Sequence, residues 1–160
     1  MSEQAQPGEA QQGRVETRRI YLRDLSFESP HATEGQVTQW QPDINLNINH
    51  QSSKQGEQLY EVRLRCTVTC RNNKKTAYLL EVDQAGLFFI TGVPDSQLKT
   101  ILGTFCPNML FPYIREAVDN LLVKGGFPPL MLAPVNFDAL YAQSVKDKQQ
   151  DQEGEKPVVH

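Results

Sequence analysis

"LYEVRLRCTVTCRNNKKTAYLLEVDQAGLFFI", residues 59–90, is the stretch on which the fold turns. Its apolar side chains recur at every second position: Tyr60, Val62, Leu64, Cys66, Val68 and Cys70 share one parity. Glu61, Arg63, Arg65, Thr67 and Thr69 occupy the other. Successive side chains of a strand point to opposite faces, so this alternation predicts an antiparallel sheet with one dry and one wet face. "RNNKK" at 71–75 predicts the hairpin turn, because asparagine tolerates positive φ. The return strand places Tyr78, Leu80, Val82, Phe88 and Ile90 on one face and Leu79, Glu81, Asp83, Ala85, Leu87 and Phe89 on the other. That second set is too apolar for a face wholly in water. Either helices cover this strand on both sides, or Leu79 beside Glu81 belongs to an interface.

The two-residue period extends upstream through "INLNIN", where Ile44, Leu46 and Ile48 alternate with asparagines. Four strands are predicted, at about 17–28, 43–50, 59–71 and 75–91. After Pro94 the period becomes helical. Leu98, Ile101, Leu102 and Phe105 form one stripe, and Leu110, Ile114, Ala117, Val118, Leu121 and Leu122 form another. Ser96 or Asp95 is expected to cap the first helix, and Lys124-Gly125-Gly126 to end the second. Pro107 is expected to restart the chain, with Pro112 near a helix start or kinking the helix if it begins sooner. "NFDALYAQSVK" predicts a third helix with Asn136 as N-cap and Asp138 in its first turn. Strands first and helices after give an α+β fold, a four-stranded antiparallel sheet followed by helices packed on one face.

At 160 residues one domain is expected, at 17–145, between disordered polar tails at 1–16 and 146–160. The chain is 39% hydrophobic and 22% charged, which suits a globular domain rather than a disordered one. Twelve acids and twelve bases fall between residues 17 and 145, so the formal charge of −3 belongs to the ends. With no basic stripe, nucleic acid is not the expected partner. A polar start without an apolar segment, and no apolar run of about 20 residues, predict a cytosolic chain that inserts in no membrane. Three cysteines, Cys66, Cys70 and Cys106, make neither a disulfide framework nor a zinc site and are expected to be buried hydrophobes.

Catalysis has little to stand on. His31, His50 and His160 lack partners at any motif spacing, no metal-ligand cluster is visible, and no cofactor is implied. Gly86 and Gly92 fit no phosphate-binding pattern. Not an enzyme is the expectation. The exceptional segment is "GGFPPLMLAPV" at 125–135, apolar yet barred from regular structure by two glycines and three prolines. Prolines stiffen it, so it can hold apolar groups out at little entropic cost. Trp40 in "QWQPD", Tyr78, Phe127, Leu130, Met131, Phe137 and Tyr141 are the candidate contact residues, although Phe137 and Leu130 taken singly read as core.

"RIYLRDLSFESP", "FCPNMLFPYIREAVDNLL" and above all "GGFPPLMLAPVNFDALY" resemble the SecB family of bacterial export chaperones. The resemblance spans about 19–142. It implies a cytosolic homotetramer, a dimer of dimers, that holds unfolded preproteins and delivers them to the SecA ATPase without nucleotide or metal of its own. It implies a client groove lined by Trp40, Tyr78, Phe127, Leu130, Met131, Phe137 and Tyr141. Asp24, Glu28, Leu79 and Glu81 match the family's SecA-binding positions; Leu80, Val82 and Gln84 match positions tied to tetramer stability. The family is strongly acidic whereas this core is neutral, with Arg63, Arg65, Arg71, Lys74 and Lys75 on or near the sheet, which implies a weaker or more local SecA contact. Two other readings compete. A small acyl-binding hydratase or thioesterase would need a carboxylate or histidine deep in an apolar pocket, for which Asp138 is the nearby candidate although helix capping explains it, and an adaptor would serve a single fixed partner.

Overall fold

The structure is a computed structural model and describes residues 12–33 and 39–154. Four strands, β1 (Arg14–Glu28), β2 (Pro42–Gly56), β3 (Leu59–Asn72) and β4 (Lys75–Thr91), are followed by α1 (Asp95–Gly103), α2 (Phe105–Lys124) and α3 (Phe137–Gly154). The sheet is antiparallel throughout, in the order β1-β4-β3-β2. A two-residue turn joins β3 to β4, with Asn73 and Lys74 at φ of 51° and 66°, the mirror-image turn that matches strand twist.

Alternation along β3 is obeyed from Val62 to Cys70, while Tyr60 is half-buried and Glu61 is buried on the other face. Val62, Leu64, Cys66, Val68 and Cys70 are all buried, as are Tyr78, Leu80, Val82, Phe88 and Ile90 of β4. Upon them lies α2, through Cys106, Leu110, Ile114, Val118 and Leu122. Burial pushes the thiols of Cys66 and Cys106 up to about 11 and about 12, so both are inert filling. A helix is about 10 Å across and strands lie about 4.8 Å apart, so one helix covers about two strands. The consequence falls on the flanking strands. Ile44 and Leu46 of β2 remain 40% and 43% exposed, although their alternation predicts a dry face. Leu22 and Leu25 of β1 stay exposed for the same reason.

Among the described residues the main helix packing on β3 and β4 comes from α2, on the core face. The mixed side of β4 is therefore not explained by helices on both sides. Instead that face carries an ionic lattice. Tyr21 and Arg23 both donate to the Glu61 carboxylate, Arg23 at 2.9 Å. Arg63 and Arg65 converge on Asp83, Arg65 at 3.0 Å, and Arg65 Nε also lies 3.7 Å from Glu81. Glu61 and Asp83 are buried, and these cations compensate them.

Several boundaries move. Strand β1 starts at Arg14, inside the stretch expected to be a tail, because Val15 pairs with Ile90. Helix α3 runs through Gly154 on helix-favouring Lys, Gln and Glu residues, so 146–154 is helical rather than disordered; residues 1–11 and 155–160 lie outside the described residues. Helix α2 begins at Phe105, which puts Pro107 in its first turn, where an N–H has no partner anyway, and Pro112 in its interior. Neither Asp95 nor Ser96 caps α1; Pro94 holds that position without a side-chain bond.

Burial alone would raise the Asp83 carboxyl, but hydrogen bonds from Arg63 and Arg65 outweigh it and hold it below its usual value. A carboxyl lower in the fold than in the unfolded chain adds stability above a pH of about 4, lost as pH falls through the folded value. Denaturation midpoints across an acid series should fall in that window, and Asp83→Asn should flatten the fall while lowering stability at neutral pH. Parallel curves for the two proteins would contradict the assignment.

Candidate client-binding surface

Helix α2 ends in a glycine-terminated cap that aims the chain back across the sheet. Gly126 takes φ of 81°; its N–H bonds to the Val123 carbonyl at 3.1 Å, and the Phe127 N–H bonds to the Leu122 carbonyl at 2.8 Å. This delivers the Phe127 ring onto Tyr78, 4.8 Å between centroids, and onto Trp40 at 5.9 Å. Phe27 completes the group, 6.3 Å from Phe127 and 6.4 Å from Tyr78. Such separations suit tilted and offset ring pairs. Tyr78 is buried at the base of this cluster, and Phe27, Trp40 and Phe127 pack around it half-buried. Gly125 permits the closeness: a Cβ there would lie 2.4 Å from the edge of the Phe27 ring. Trp40 is held through both neighbours, since the Asn72 side chain accepts from the Gln41 N–H at 2.9 Å and donates to the Gln39 carbonyl at 3.4 Å.

Beyond Phe127 the strap neither buries itself nor floats. Pro128, Pro129 and Met131 are exposed, Leu130 is half-buried, and Leu132 is buried. Helix α3 then starts under its Asn136 cap, whose Oδ1 accepts from the Ala139 N–H at 3.0 Å.

Of the seven expected groove residues, the structure joins Trp40, Tyr78 and Phe127, with Leu130 and Met131 following on the strap. The other two lie elsewhere. Phe137 is 2% exposed and packs edge-on to Phe111 in the core, where it cannot touch a client in this conformation. Tyr141 lies over Gly103 and lines a separate cleft of about 550 Å3 between β2, α1 and α3, with His50, Lys99 and Lys148. Phe27 was missed, because in the sequence it is hidden within an acidic strand end; its pairing with Leu80, on the core face, is the signal that finds it.

The expected SecA-binding residues come together on the outer sheet face. Register sets Glu28 beside Leu79, Ser26 beside Glu81 and Asp24 beside Asp83. Leu79 is 38% exposed. Glu81 is partly engaged, by Arg65 and by the Thr67 hydroxyl at 3.4 Å. Leu80, Val82 and Gln84 point the other way and are buried inside the subunit. Any effect of theirs on assembly acts through the protomer's own core. Asp138 is exposed on the first turn of α3, so the acyl-enzyme reading loses its buried carboxylate.

The comparisons with known proteins accord with this geometry. The family described as preprotein translocase subunit SecB matches residues 8–148. The chain belongs to the SecB family. Protein-export protein SecB of Marinobacter nauticus is 50% identical over 86% of this chain and 83% of its own. SecB of Pseudomonas paraeruginosa is 49% identical over 99% of both chains. A SecB-like chaperone of Mycobacterium tuberculosis, solved with a peptide from an antitoxin, shares the fold, with a TM-score of 0.64 at 23% identity over 76% of this chain and 91% of its own. Membership in SecB brings with it a chaperone role in protein export. No described helix is long and apolar enough to cross a membrane.

Gly125→Ala tests the ring cluster, because Gly125 already has a helical φ of −77° and the substitution introduces only a clash. Overpacking of this kind costs about 1–3 kcal/mol. Since Trp40 is the single tryptophan, its emission should shift to the red as the rings separate, with a lower denaturation midpoint. Unaltered emission would mean that the rings do not depend on Gly125.

Proposed function

We propose that this SecB acts as a cytoplasmic holdase: it binds unfolded preproteins along apolar surface and hands them to the SecA ATPase. The observation that carries this reading is the half-buried aromatic cluster continuous with a proline-stiffened strap whose Met131 is 76% exposed. Burial is worth about 25 cal/mol per Å2 whatever the sequence, so a few hundred Å2 along such a surface would hold many clients without a motif. Rings and thioether both suit promiscuous contact. The reading requires no nucleotide or metal, because capture by burial involves no bond chemistry.

Assembly as a homotetramer, a dimer of dimers, is part of the proposal. The 15-residue β1 is an open sheet edge that keeps Leu22 and Leu25 exposed, and unpaired edges of that length are ordinarily covered. The outward side of α2 adds Phe105, Met109, Tyr113 and Val123, all exposed. Joining copies would cover these and place several client surfaces on one particle, which raises effective concentration along a single unfolded chain.

SecA docking is proposed for the opposite sheet face, at Asp24, Glu28, Leu79 and Glu81. The arginines that would oppose an acidic contact are occupied, since Arg63 and Arg65 are bound to Asp83. The Arg65–Glu81 pair is partly exposed, and such pairs contribute about 1 kcal/mol or less, so a basic partner could displace it.

Two outcomes are expected. Stoichiometric tetramer should retard refolding of a slow-folding client and shift Trp40 emission as the client binds; refolding at the uncatalysed rate would contradict the holdase reading. Glu81→Lys should leave that retardation unchanged and weaken SecA binding about tenfold or more by calorimetry. Equal SecA affinity would remove the sheet face from the account.

A further inference from the structure

The strap turns one side chain outward between two that turn in. Leu130 and Leu132 pack against the core, while Met131 between them is 76% exposed. Met131 also has φ of 50°, the left-handed region disfavoured for any residue with a Cβ. Such a backbone state persists only where its surroundings over-determine it. Here the constraint is a single carboxylate. Asp119 of α2, eleven and twelve residues away, accepts at Oδ1 from the Leu130 N–H at 3.0 Å and from the Met131 N–H at 3.1 Å. The two preceding residues, Pro128 and Pro129, have no N–H to give, so Leu130 and Met131 carry the first donors after the proline pair. An ionised acceptor makes both bonds stronger than a neutral one could.

We propose that Asp119 is a positioning residue for client capture: by clamping both amides it fixes the backbone state that projects the Met131 thioether into the open. The inference rests on the holdase reading. Its physical content is pre-organisation. A clamped strap presents Met131 before a client arrives, whereas a free strap would have to be ordered during binding, at a loss of affinity. Asp119 touches no client itself; it acts through two neighbouring side chains, one anchored and one presented.

The test uses the full-length assembled protein and a permanently unfolded client, reduced and carboxymethylated α-lactalbumin carrying a fluorescent label. Asp119→Ala should weaken binding about five- to tenfold, mostly through faster dissociation. Amide exchange at Leu130 and Met131 should rise while exchange in β3 and α2 stays as in the wild type. Asp119→Asn keeps an acceptor oxygen without the charge and should fall between the two. Adding Asp119→Ala to Met131→Ala should cost less than Asp119→Ala alone, because the clamp then has nothing to present. Should Asp119→Ala fail to assemble, Asp119→Ser, too short to reach both donors, carries the same expectations. The proposal is overturned if Met131→Ala weakens binding and Asp119→Ala does not, or if the double variant is additive. A wild-type protein that leaves this client uncaptured would instead remove the holdase reading, and the role of Asp119 with it.

Discussion

One geometric constraint governs the molecule: a single 20-residue helix rests on a sheet twice as wide as itself. Leu110, Ile114, Val118 and Leu122 bury the core face of β3 from Val62 to Cys70 and most of that of β4. The flanking strands then keep apolar side chains that stay partly exposed, among them Leu22, Leu25, Ile44 and Leu46. A larger helical layer would have closed this core and left an inert globule. The narrow layer yields a stable centre with partly open apolar margins, which suits a chaperone.

The margins are kept open by specific devices. Glycines at the end of α2 turn the chain so that Phe127 reaches Tyr78, and Gly125 leaves room for Phe27. Asn72 pins the neighbours of Trp40, and Asp119 pins the strap. Each is a polar side chain satisfying backbone groups of an irregular segment, which holds apolar rings and a thioether in place without burying them. The opposite face follows another logic. There Glu61 and Asp83 are compensated by arginines from other strands, so the surface carries paired charges rather than an apolar cluster.

Much of this was legible in the sequence, and the failures have physical causes. The alternation of β3, the hairpin at Asn73 and the helical stripe of α2 follow from local periodicity, which this fold obeys. The apolar strap stood out because glycine and proline contradict its hydrophobicity. Alternation in β2, however, reveals only that one face is apolar; whether anything lies above Ile44 and Leu46 depends on the width of the helical layer. Phe137 was grouped with Trp40 among the contact candidates, although taken singly it reads as core, and it does belong to the core beside Phe111. Asp119 and Asn72 look like ordinary solvated polar residues, and their partners are set by tertiary approach, which no spacing encodes.

Heat capacity tests the central claim most directly. Calorimetric titration of an unfolded client at several temperatures should give a clearly negative ΔCp, the mark of apolar burial, and Phe127→Ala should reduce its magnitude. A ΔCp near zero, together with binding that disappears in moderate salt, would show that charge rather than the open apolar margin holds the client.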